Sequence, residues 1–249
     1  LVDPVSTDLA HTAFGLDLFD LKPDFWEPDA GSSLFQRLGG KPKAKKRHKL
    51  WKGPVYKQDV FCSDNGFVAA GPGSYLIGYF QSERFFSDCA EDIRTAFSLN
   101  DVAPTVDQNL KDLAVAPTSV SVHIRRGDYA SNPQTTAVHG ILGDEYYTRA
   151  YEVMSALVPG SQWLVFSDDI DAADALTKTW QNRTLIEGHN REQDLWLMSV
   201  CSNHVIANSS FSWWGAWLGR NPEKKVIGPR RWFSRAEMHK VYVDDVCPE

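Results

Sequence analysis

The chain has 249 residues, of which 43% are hydrophobic and 23% charged; this globular composition excludes a disordered polymer and suits one large domain or two modest ones. Its net charge of −6 gives no bulk attraction to nucleic acid, so an anionic ligand must meet a local basic site. No apolar run has the length of a membrane span, and Cys62, Cys89, Cys201 and Cys247 lie too far apart to form a zinc or redox motif.

Residues 1 to about 40 read as loop-rich, punctuated by Pro4, Pro23, Pro28 and Gly39-Gly40. A basic run from Lys41 to Lys49, continued by Trp51-Lys52, suits an anionic membrane surface or a charged acceptor, and equally a solvated loop. Ser87 is placed to cap a helix bearing Cys89, Ile93 and Phe97 on one apolar face. Cys89 and Cys201 therefore read as buried, reduced thiols. Residues 100–118, with Pro104 and Pro117, read as a linker, so the chain divides into domains 1–115 and 116–249.

The second half is more regular. Ser119–Ile124 alternates like a strand, and Asp144–Leu157 carries a helical apolar face that stops at Pro159-Gly160. Trp163–Phe166 is a short strand, Ala172–Lys178 a helix, Thr184–Ile186 extended and Gln193–Val200 a helix. His204–Ala207 is another strand, Phe211–Leu218 a helix and Lys225–Ile227 a last strand. Strand alternating with helix predicts an α/β, parallel, doubly wound sheet, whose ligands bind beyond the carboxyl ends of strands.

Three strand ends carry the notable residues. His123-Ile124-Arg125-Arg126-Gly127-Asp128 runs off the first, and a guanidinium there can grip a diphosphate through paired hydrogen bonds. Phe166-Ser167-Asp168-Asp169-Ile170-Asp171 follows the second. Its acids suit the N–H donors of guanine, a DxD metal site, or helix caps. Asn208-Ser209-Ser210-Phe211 opens a helix after the third, where free N–H groups and the positive helix end suit phosphate.

The segments SVHIRRGDY, WLVFSDD and HVIANSSFSWWGAWL, in this order and spacing, resemble the α-1,2-fucosyltransferase family, glycosyltransferase family 11. So do Gly78–Ser82, His139-Gly140 ahead of Tyr146-Tyr147, and Gly228-Pro229 before Trp232-Phe233. The resemblance implies a GT-B-like pair of Rossmann-like, doubly wound domains. The N-terminal one would be incomplete, because a strand and a GGLGNQ-like turn are expected ahead of residue 1. It also implies a cytoplasmic soluble enzyme, or a membrane-associated or Golgi one if an N-terminal anchor precedes this chain.

By the same resemblance, L-fucose passes with inversion from GDP-fucose to the 2-hydroxyl of a galactose-containing glycan, with no metal and no nucleic acid involved. Arg125 would hold the β-phosphate, with His123 and Arg126 beside it. Asn208, Ser209, Ser210 and Phe211 would form the phosphate turn, and Asp168 or Asp169 would face guanine. The residues themselves leave two candidates for the base that takes the acceptor proton, His139 and Asp128; His139 is preferred on the acceptor side, and Asp128 reads better as an acid that pairs with arginine. The alternative is a remnant that binds nucleotide or glycan without turnover.

Overall fold

The computed structural model describes residues 18–19, 49–58, 65–78, 80, 82–126, 136–137 and 140–234. The chain falls into two compact units, Leu1–Phe80 with Phe85–Ser98 and Gln81–Arg84 with Leu99–Glu249. In the first unit, β1 (Val55–Lys57) and β2 (Tyr75–Ile77) are parallel and flank α1 (Asn65–Ala70) in sequence. Parallel neighbours need such a crossover, because a tight turn can only reverse the chain. Phe85 meets Phe67 and Phe80 edge to face beside these elements, and the three ring centroids lie 4.9–5.8 Å apart.

The same unit holds α2 (Ala90–Ala96). The helix expected from Ser87 begins one turn late, because Ser87–Cys89 forms a 3-10 turn and Cys89 is the uncapped N-terminal residue of α2. Cys89 is exposed, which corrects the buried-thiol reading, whereas Cys201 is buried as expected. The apolar repeat holds at Ile93 and Phe97, both half-buried, with Phe97 stacked on Phe19 at 4.4 Å, and fails at Cys89.

The second unit is built on five parallel strands in the order β5-β4-β3-β6-β7. These are β3 (Ser119–Ile124), β4 (Gln162–Ser167), β5 (Arg183–Leu185), β6 (Asn203–Val205) and β7 (Val226–Ile227). Between them run α4 (Asp144–Leu157), α5 (Ile170–Thr177), α6 (Arg191–Val200) and α7 (Ser210–Leu218). Before β3 comes α3 (Gln108–Ala114), capped by the Asp107 carboxylate, which accepts from Asn109 N at 2.9 Å. Residues 100–118 are therefore not a bare linker. The two prolines bracket a short helix whose Ala114 is fully buried, and Asp107 supplies its start signal.

Alternation along β3 divides the core. Val120, Val122 and Ile124 pack with Tyr147, Ala150 and Met154 of α4 and Ala173 of α5. On the opposite face Leu164 and Phe166 of β4 meet Ala114, Leu197 and Met198. The other residues of β3 are Ser119, Ser121 and His123, all buried. Their polar atoms therefore need partners inside the protein. Ser119 Oγ donates to Ala114 O at 2.7 Å and accepts from Ser202 N at 2.8 Å, and Ser121 Oγ lies 2.9 Å from His204 Nδ1. Helices thus cover both faces of an α/β parallel sheet, as the strand–helix alternation predicted.

α6 and α7 pack closely because position 215 has no side chain: a Cβ there would stand 2.8 Å from Met198 Cβ. Gly215→Val should overpack this seam and cost about 1–3 kcal/mol. The check is urea unfolding, with a lower midpoint and an unchanged m-value expected; an unaltered midpoint would contradict the packing argument.

Candidate functional site

In the sheet order β3 lies between β4 and β6, so the three strand ends singled out by sequence are neighbours. Ile124 pairs with Ser167 and Val122 with Val205. One residue past the first pairing come Arg125 and Asp168; three past the second come Arg125 and Asn208. The chain order reverses between β3 and β6, which opens a crevice at the carboxyl edge of such a sheet.

Asp168 organises the β3 end. Its carboxylate meets Arg125 Nη1 at 3.0 Å and accepts from Arg126 N at 2.8 Å. The two arginine side chains then diverge. Arg126 donates to Leu142 O at 2.8 Å and to Asp144 at 2.6 Å, with its guanidinium 5.8 Å from the Tyr147 ring centroid. It therefore fastens β3 to the start of α4. Arg125, 29% exposed along its side chain, stays at the crevice with Asp168. Asp169 accepts from Ala172 N at 3.1 Å and caps α5, so one of the two acids expected to face guanine is engaged as a cap. Ser167 Oγ steadies the turn by donating to Ile124 O at 2.7 Å.

At the β6 end Ser209 caps α7, accepting from Phe211 N at 3.3 Å. Asn208 is buried and donates through Nδ2 to Trp232 O at 3.2 Å. Ser212 Oγ accepts from Ala207 N at 3.2 Å and donates to Ser209 O at 3.3 Å. The turn is thus fixed from within, while Ser210 faces solvent at the first position of the helix. Phe211 packs 6.0 Å from the His123 ring, which links this turn to β3. The nine-residue helix α7 adds its positive end to the same place.

Two of the buried polar atoms that lack partners among the described residues bear on this site. His123, 5% exposed, has an unpartnered Nδ1. Burial, aided by Arg125 and opposed by Asp168, holds its pKa down to about 4, so its imidazole is neutral at pH 7. Asp194, in the first turn of α6, has an unpartnered Oδ1, and burial raises its pKa to about 6. Helices α6 and α7 run side by side in the same direction, each leading back from a parallel strand. Met198 is level with Gly215, so one turn earlier Asp194 is level with Phe211. Sequence reasoning missed Asp194 because an acid in a first helical turn is routine there. The available signal was its place one turn before the buried Leu197 and Met198.

Of the expected site residues, the fold brings together His123, Arg125, Arg126, Asp168, Asn208, Ser209, Ser210 and Phe211, with Asp169 one residue further out. His139, Asp128 and the basic residues 41–48 lie outside the described residues, as do Cys62 and Cys247. Among the described residues no three His, Cys, Asp or Glu side chains form a metal-binding group, and no helix is long and apolar enough to cross a membrane.

The family model described as Glycosyl transferase family 11 matches residues 58–241. The chain is 35% identical over 248 residues to an alpha-1,2-colitosyltransferase of Escherichia coli, covering 96% of this chain and 82% of that protein. It is 33% identical over 179 residues to the O-antigen biosynthesis glycosyltransferase WbnK of Escherichia coli, covering 69% of this chain and 59% of that one. A human galactoside alpha-(1,2)-fucosyltransferase 1 is 29% identical over 156 residues, 57% of this chain and 42% of that protein.

The depressed pKa of His123 makes stability depend on pH in a defined sense. An unfolded imidazole takes its proton near 6.5 and the folded one near 4. The unfolded chain binds more protons in that window, and stability falls as pH drops through it. His204, lowered by burial to about 3, acts in the same direction. Asp194 acts oppositely, since its folded carboxyl keeps a proton up to about 6, but two imidazoles outweigh one carboxyl. For His123 alone the loss by pH 4 is on the order of 3 kcal/mol. Urea unfolding at pH 7, 5.5 and 4 should show a shallower decline in His123→Gln; a wild-type slope in that variant would contradict the assignment.

Proposed function

Because this chain belongs to glycosyl transferase family 11, we propose that it moves L-fucose from GDP-fucose to the 2-hydroxyl of a galactose-type residue in a surface glycan, with inversion. The observation that carries this reading is the register of neighbouring β3 and β6, which puts Arg125 level with Asn208, one residue before the Ser209 cap of α7. Two such groups on adjacent strands provide a fixed positive charge and directed N–H donors for one diphosphate. A GT-B-like arrangement of the two units is part of the same proposal.

In the proposed reaction the bond between fucose C1 and the β-phosphate oxygen breaks, and its electron pair leaves with GDP. The acceptor oxygen attacks C1 from the opposite face and loses its proton to a base. Charge grows on the departing diphosphate, and groups already aimed at it stabilise the transition state more than the ground state. Arg125 and the α7 terminus take that role, with Ser210 beside them. Arg126 acts indirectly by holding the β3 end in place. His139 is proposed as the acceptor-side group. Because the cationic charge comes from the protein, the reaction is proposed to need no metal, and turnover should survive a strong chelator.

Guanine recognition is proposed for Asp194, helped by neutral His123. Asp168 already holds Arg125 and the Arg126 amide, and Asp169 caps α5. Among the described residues Asp194 is the carboxylate with an unengaged buried oxygen, on a helix whose Met198 packs at Gly215 of α7, and a carboxylate accepts the paired N–H donors of guanine. The ionised form is the acceptor, so GDP affinity should fall as pH drops below about 6.

A second donor reading is supported by the alpha-1,2-colitosyltransferase, whose similarity extends over 96% of this chain. Colitose lacks the 3-hydroxyl of fucose, so the two donors share the nucleotide and differ in one contact to the sugar. Comparing kcat/KM for GDP-fucose and GDP-colitose decides between them. The basic segment 41–52 is proposed to meet an anionic acceptor or membrane surface.

Arg125→Ala should lower kcat/KM at least about 100-fold, measured by release of GDP in the presence of acceptor; near-normal kinetics would defeat the phosphate assignment. GDP binding by calorimetry without turnover of either donor would favour the remnant reading. Asp194→Asn should weaken GDP about 10- to 100-fold and leave inorganic pyrophosphate binding unchanged; equal losses for both ligands would remove Asp194 from the base site.

A further inference from the structure

The carbonyl that begins the phosphate turn has lost its ordinary partner. In the parallel pair β6–β7, His204 N donates to Lys225 O and Ile206 N donates to Ile227 O, both at 2.9 Å. A parallel ladder continues by having the same residue accept, through its carbonyl, from the N–H two positions further along the neighbour. For Ile206 that position is 229, and residue 229 is proline. Proline has no N–H to give. Ile206 is 1% exposed, so water offers no substitute, and an unsatisfied buried carbonyl is costly.

The side chain that fills this vacancy comes from the other side of the edge. Tyr146, in the first turn of α4, directs its hydroxyl at Ile206 O at 2.7 Å, with Ile227 O at 3.2 Å. The same turn of α4 is anchored on β3, because Arg126 grips Leu142 O and Asp144. The start of α4 is thus a bracket across the ends of β3, β6 and β7. Two residues beyond the held carbonyl is Asn208, and three beyond is the α7 cap Ser209. Asn208 is tied in turn to Trp232 O, just past Pro229.

We propose that Tyr146 is a positioning residue for the donor phosphates: its phenol replaces the N–H missing at Pro229 and so sets where the Ser209–Ser210 turn stands relative to Arg125. This rests on the reading of that turn as the diphosphate site. Tyr146 touches no reacting atom, and its effect passes through the backbone from Ile206 to Ser209.

The test compares wild type, Tyr146→Phe and Tyr146→Phe/Pro229→Ala, in which the backbone N–H is restored. Calorimetry with GDP and with guanosine separates phosphate from base. Tyr146→Phe should bind GDP about tenfold more weakly, as expected for one hydrogen bond, while guanosine binding stays at the wild-type level. The double variant should recover most of the GDP affinity. Unchanged GDP affinity in Tyr146→Phe, or an equal loss for guanosine, overturns the proposal.

Amide hydrogen exchange at Ala207–Ser210 in ligand-free protein gives an answer that needs no ligand. Faster exchange in Tyr146→Phe and slower exchange in the double variant are expected, and wild-type rates in Tyr146→Phe overturn the proposal. Wild type that binds no GDP would instead defeat the donor reading, with the exchange measurement still deciding the role of Tyr146.

Discussion

The site depends on the in-register pairing of β3 with β4 on one side and β6 on the other. Sheet register sets the height at which each strand stops, so the pairing puts Asp168, Arg125 and the Asn208–Ser209 turn at one level. A slip of a single residue would send every side chain of β3 to the opposite face. Val120, Val122 and Ile124, each fully buried against α4 and α5, make such a slip prohibitive. Core packing on one face of the sheet therefore fixes the chemistry at its edge.

Adjacent arginines do different work because they leave the strand in different directions. Arg126 satisfies a carbonyl and a carboxylate at the head of α4, a structural use that a sequence motif cannot separate from ligand binding. Arg125 shares Asp168, and that ion pair is partly exposed. A pair of this kind contributes little net stability. Its value is orientation, since it holds a guanidinium at the crevice before any ligand arrives.

Much of this was legible in the sequence, for physical reasons. The second half has strong periodicity: β3 was read to the residue because polar and apolar residues alternate along it, and α4 because Tyr147, Ala150 and Met154 recur at helical spacing. The three strand-end clusters were visible as polar residues interrupting apolar runs. The first unit was harder, since β1 and β2 have three residues each and half-exposed patterns. Prolines at 104 and 117 disguised α3, whose start depends on one capping aspartate. The proposed role of Asp194 was hidden from the sequence because it depends on the level of α6 against α7. The role of Tyr146 was likewise out of reach, since it depends on a hydrogen bond that Pro229, 83 positions away, does not make.

That missing N–H also bears on descent. The phenol at position 146 is useful only while position 229 cannot donate, and a proline at 229 is tolerated only while something answers the stranded carbonyl. Neither change is cheap alone, so divergent lineages should exchange the two together or keep both. The proline thereby ties the history of a helix to that of a distant strand, although the two residues need never touch.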